Sequence, residues 1–99
     1  MKYKVAAIQM SCAFLDKNAN LKVAENLIRE AAGMGARLVC LPEAFSLGYS
    51  NAHMAEMVEA AEPIDGDGVS QMKYLAKELG IYLVAPFNRQ LFQKSPNAR

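Results

Sequence analysis

Three strand-length apolar runs, residues 4–10 (KVAAIQM), 37–41 (RLVCL) and 81–87 (IYLVAPF), alternate with stretches whose apolar residues recur every three or four positions. This alternation constrains the fold more than any other feature. An apolar run without strict polar alternation is the pattern of a strand covered on both faces, as in a parallel sheet, rather than of a hairpin. After the first run, Asp16, Asn18 and Asn20 offer three candidate helix caps, and Leu21, Ala24, Leu27, Ile28, Ala31 and Ala32 form a core stripe. Gly33 and Gly35 end that helix and let the chain reverse into the second strand. Pro42 closes the second strand, since proline cannot donate to a ladder. Met54, Met57, Val58 and Ala61 predict a short helix over residues 52–61, followed by a turn-rich linker, EPIDGDG, over residues 62–68. Val69, Met72, Leu75, Ala76 and Leu79 form a further stripe, ended by Gly80 before the third strand. The order is β-α-β-α-α-β, an α/β chain with a parallel sheet and right-handed crossovers, because each helix must pack back on the sheet. Residues 1–88 carry this pattern, and residues 89–99 form an irregular tail.

Composition narrows the function classes. With 99 residues there is room for one core, and 11 Lys and Arg against 10 Asp and Glu leave a net charge of +1, no surplus with which to follow a phosphate backbone. Nucleic acid is not an expected partner. The apolar runs are far shorter than the ~20 residues that cross a bilayer, so no membrane span is expected. Two early lysines lead into no signal core, and cytoplasmic residence is the expectation. Cys12 and Cys40 would then stay reduced. His53 is the only histidine and has no ligand cluster around it, and the DGDG stretch fails as a calcium loop because Ser70 holds the glycine place and no glutamate closes it. Gly33 and Gly35 give G-x-G after a helix, with no third glycine, which excludes a dinucleotide fingerprint. No metal or cofactor is expected.

Glu43 stands immediately past the carboxyl end of the second strand, where open α/β sheets gather catalytic and binding groups. Between Pro42 and Phe45, beside Leu41, it is expected to be partly desolvated and so a better base near neutrality. Position alone leaves two other readings open, a solvated loop charge and a helix cap. Cys40 lies inside the strand between Val39 and Leu41 and reads as a small core hydrophobe; Cys12 sits in a loop with no His or Lys beside it to activate the thiol. Met54, Met57 and Met72 read as core.

Taken in order, KVAAIQM, DKNANLKVAENLIREAAGMGARLVCLPEAFSLGY and DGDGVSQMKYLAKELGIYLVAPF resemble the amino-terminal third of the nitrilase, or carbon–nitrogen hydrolase, superfamily. The most specific stretch is LVCLPEAF followed by Gly48 and Tyr49, supported by the Asn20-Leu21 helix start, the Ala31-Ala32 and Gly35-Ala36 pairs, and LAKELGIYLV. The resemblance implies a four-layer α-β-β-α sandwich that forms homo-oligomers. It also implies hydrolysis of a non-peptide C–N bond in a small amide, nitrile or carbamoyl substrate by a Glu–Lys–Cys triad. On that pattern Glu43 is the catalytic glutamate, and Phe45 and Tyr49 are positions near the substrate pocket, though both residues also suit core or loop packing. The family's lysine and cysteine belong to later segments, and Lys94, in QKSPNAR, lacks the family's lysine motif. The expectation is therefore a truncated, inactive piece carrying one triad residue. The competing expectation is a non-catalytic interaction piece that pairs, or self-associates, through its open sheet edge.

Overall fold

The computed structural model describes residues 3–43, 45–47, 56, 59–60 and 66–87. Five elements follow in order: β1 (Lys4–Ala7), α1 (Lys17–Gly33), β2 (Ala36–Cys40), α2 (Asp67–Leu79) and β3 (Tyr82–Val84). The strands form one sheet of order β1-β2-β3 in which both pairings are parallel. This is the expected α/β architecture. Of the short helix expected over residues 52–61, Glu56, Glu59 and Ala60 are helical, and its other positions, with His53, lie outside the described residues. The tail boundary lies outside them as well. Among the described residues no helix is long and apolar enough to cross a membrane, and no group of three or more His, Cys, Asp or Glu is placed to hold a metal ion.

Each helix is bounded by local chemistry. Asp16 caps α1, its Oδ1 accepting from the Ala19 amide at 3.2 Å. At the other end Met34 N–H donates to the carbonyls of Glu30 and Ala31, and Gly35, at φ +96°, turns the chain into β2. A side chain at Gly35 would be strained by that φ and would press on the Lys4 side chain, 3.4 Å from an added Cβ. Gly80, at φ +65°, does the same work after α2, where the Ile81 amide reaches back to the Ala76 carbonyl at 3.1 Å.

Leu21, Ala24 and Ile28 of α1 meet Met72 and Leu75 of α2 over Ala36 and Val39 of β2, with Ile81, Leu41 and Phe45 closing the core. Val39 is fully buried, and its strand partners Ala6 and Leu83 pack on the same core. Side chains alternate along a strand, so the neighbouring rows, Val5–Leu38–Tyr82 and Ala7–Cys40–Val84, face the other way.

That second face corrects two expectations. β1 and β3 are not covered on both sides: Val5 is 62% exposed, Tyr82 78% and Val84 49%. They are also shorter than their apolar runs. The helices lie against the face that holds Val39, and nothing among the described residues covers the other. An apolar run reports a preference for burial without stating what supplies the cover. Cys40 follows the same logic and is half-buried on the open row rather than in the core.

The two helices are joined on their outer surface. Arg29 places Nη1 2.6 Å and Nη2 3.2 Å from the carboxylate oxygens of Glu78, and Nε 3.0 Å from Glu25. Gln71 donates to the other Glu25 oxygen at 3.2 Å. The fork on Arg29 holds the Glu78 carboxyl below its ordinary value. A carboxylate whose folded-state value is depressed adds stability above the ordinary glutamate range and loses it as pH falls through the lowered value. Glu78→Gln is therefore expected to flatten the acid limb of the thermal stability curve, with a small loss at neutral pH because the pair is at the surface. Circular dichroism melts across the acid range check this; an acid limb as steep as the native chain's would remove Arg29–Glu78 as its source.

Candidate functional site

The carboxyl ends of three parallel strands converge on one edge of the sheet. The ladder runs one residue past the strands there, through Ile8 N–H to Cys40 O at 2.8 Å and Leu41 N–H to Val84 O at 2.9 Å. Pro42 then ends pairing and Glu43 begins a turn.

This turn is anchored beyond Glu43. Phe45, Ser46 and Leu47 are all buried, Phe45 completely. The Phe45 ring meets Phe87, just past β3, edge to face with centroids 4.9 Å apart. The Leu47 carbonyl accepts from Leu15 N–H at 2.8 Å, and Leu15 takes a left-handed conformation at φ 60° in the loop after β1. Asn20 adds a third tie. Its amide accepts from Ala13 N–H and donates to the carbonyls of Ala13 and Ser46, each at 2.8 Å. The turn is thus tied to the loop after β1, the first turn of α1 and the end of β3.

The three sequence-predicted residues fall differently on this frame. Glu43 is exposed, which corrects the expectation of a partly desolvated carboxylate. Leu41 and Phe45 turn into the core and do not fold over it. Phe45 holds the turn from within. Tyr49 lies outside the described residues. Asn20 is the residue that sequence reasoning misses, because an asparagine at a helix start also suits a cap; Asp16 is the cap, and Asn20 is only 2% exposed. A signal was present, since position 20 falls on the stripe of Ala24 and Ile28, where a polar residue must find buried partners. Cys12, half-buried, has its thiol pushed up by burial and so stays protonated at neutral pH. An apolar cleft of about 210 Å³ lies between α2 and the end of β3, touching Phe87 and Lys73 but neither Glu43 nor Phe45.

The parallel α/β unit sets the exposed Glu43 past its central strand, on the edge where open α/β sheets gather ligands. The chain belongs to the carbon–nitrogen hydrolase family, whose model matches residues 4–97. It is 40% identical over 83 residues to a nitrilase of Pyrococcus abyssi, covering 83% of this chain and 32% of that protein. It is 39% identical over 83 residues to the omega-amidase NIT2 of Danio rerio, covering 84% and 28%. Among solved structures it is similar to a CN-hydrolase superfamily protein from Xanthomonas campestris, at TM-score 0.65 and 33% identity, covering 77% of this chain and 27% of that one. An amidase from Nesterenkonia sp. follows at TM-score 0.63 and 28% identity, covering 82% and 30%. The chain therefore spans about a third or less of the relatives it matches.

Proposed function

We propose that this chain carries the proton-transfer carboxylate of a carbon–nitrogen bond hydrolase, with Glu43 in that role and a small amide, nitrile or carbamoyl compound as substrate. The supporting observation is the turn after β2, in which Glu43 is exposed at the sheet edge while Phe45, Ser46 and Leu47 are buried. In an amide, a cysteine sulfur attacks the carbonyl carbon while Glu43 takes the thiol proton. The C–N bond then breaks as that proton passes to the departing nitrogen, and Glu43 next deprotonates the water that cleaves the thioester. A lysine steadies the oxyanion. Tyr49, with Phe45 holding the turn beneath, belongs to the substrate side of the same proposal, as does a cytoplasmic setting. Cysteine and lysine are supplied by segments beyond this match, so the 99-residue chain alone is expected to release no ammonia. Paired with the part of the Pyrococcus abyssi nitrilase outside its matched stretch, it is expected to release ammonia in a Glu43-dependent way.

The open sheet face favours a second reading, self-association. The rows Val5–Leu38–Tyr82 and Ala7–Cys40–Val84 contain no charged residue, so a second copy stacked on them meets no like charge. Sedimentation of the chain is expected to give a concentration-dependent dimer, and Val84→Lys a monomer at the same concentrations. A native chain monomeric throughout excludes the reading.

A further inference from the structure

We propose that Asn20 is a positioning residue, a buried latch that sets where the Glu43 turn sits. Its functional meaning rests on the reading of Glu43 as the working carboxylate; the latch itself is a matter of hydrogen bonds. Asn20 lies in the first turn of α1, where an asparagine ordinarily faces water or serves as a cap, yet its side chain is buried and both ends of its amide are used. Oδ1 takes the Ala13 amide, and Nδ2 divides its two hydrogens between the carbonyls of Ala13 and Ser46. One planar group thereby joins the loop after β1 to the turn after β2, and Leu15 N–H to Leu47 O repeats the join one step outward. Ser46 is three residues from Glu43, between two buried apolar neighbours, so displacing its carbonyl displaces the turn.

The residue type is tightly specified. Glutamine is one methylene too long for contacts already at 2.8 Å, alanine reaches nothing, and aspartate keeps the shape but loses the donors. Asn20→Asp therefore tests the latch against the plainer view that Asn20 merely begins a helix. Protonated, the introduced carboxyl still offers one O–H to a carbonyl and an oxygen to Ala13 N–H. Ionised, it faces the Ala13 and Ser46 carbonyls with no hydrogen to give, and the turn is released. A helix-start role has the opposite sign, because a negative charge in the first turn of α1 strengthens the helix. The elements packed around position 20 carry Cys12 and Asp16 on the loop after β1, Lys17 on α1 and Glu43 on the turn. All four are present in both the native chain and the variant, so comparing the two isolates the introduced carboxyl.

The measurement is amide hydrogen exchange by NMR on the 99-residue chain and on Asn20→Asp from about pH 4 to about pH 7, each rate divided by the intrinsic rate at that pH. Leu15 reports the join, and Ala24, Ile28 and Val39 report helix and sheet. The expected result is that Leu15 protection in Asn20→Asp falls about tenfold or more with rising pH while the three controls hold, with no such trend in the native chain. Asn20→Ala is expected to lack Leu15 protection at every pH. Protection that stays level or grows with pH in Asn20→Asp overturns the proposal, as does a loss shared in step by the controls, which marks a general core residue rather than a latch. Glu43→Gln leaves all of these hydrogen bonds in place and is expected to keep Leu15 protected. Failure of the latch and failure of the Glu43 reading are thus separate results.

Discussion

Phe45→Ala is expected to bring the chain to the edge of unfolding at physiological temperature. Phe45 is fully buried and, among the described residues, is the largest side chain without solvent contact. Removing a buried aromatic costs about 3–5 kcal/mol through lost transfer energy and the cavity left behind. A chain of this length holds about 5–15 kcal/mol in all, and a short sheet with one open face belongs at the low end of that range. At about 4–8 °C per kcal/mol for domains of this size, the melting temperature falls by about 12–40 °C. Circular dichroism melts read this directly. Phe45→Leu retains most of the volume, though not the edge-to-face contact with Phe87, and is expected to recover more than half of the loss. A Phe45→Ala melting temperature within a few degrees of the native value would mean that the turn contributes nothing to the core.

The same residue shows where the sequence is legible. The βαβ alternation was readable because it depends on period: Leu21, Ala24 and Ile28 fall on one helix face, and Met72 and Leu75 on another, whatever surrounds them. Strand direction was readable because helices joining consecutive strands imply parallel pairing. The cover was not. Val5, Tyr82 and Val84 have the side chains of buried strands, but their burial requires a second surface, and no local pattern encodes whether one is present.

At the site the division is similar. A glutamate after a strand-ending proline locates a strand end, which Glu43 occupies. Its solvation was not legible, since Leu41 and Phe45 can either cover a neighbour or, as here, turn under it. Asn20 was ambiguous because asparagine near a helix start satisfies two rules at once. Only the positions of Ala13 and Ser46, one before α1 and the other 26 residues along the chain, show that its amide turns inward.

Glu43→Gln is expected to carry the largest effect on chemistry. In the pair formed with the part of the Pyrococcus abyssi nitrilase outside its matched stretch, it should lower ammonia release by about 10²- to 10⁴-fold, the usual contribution of a positioned proton carrier. The substitution keeps the shape and removes only the capacity to take up and return a proton. Because Glu43 is exposed and outside the core, the change should leave the melting temperature within about 2–4 °C, as for most surface substitutions. That separates it from Phe45→Ala, where activity and fold fall together. Glu43→Asp keeps the carboxylate but withdraws it by one methylene and is expected to retain a few per cent of the rate, since proton transfer depends on reach as well as on acidity. The loss should lie in kcat with KM little changed, because a group that acts on protons in the transition state adds little to ground-state binding. Full activity in Glu43→Gln would remove Glu43 from the reaction and place the proton carrier elsewhere in the pair.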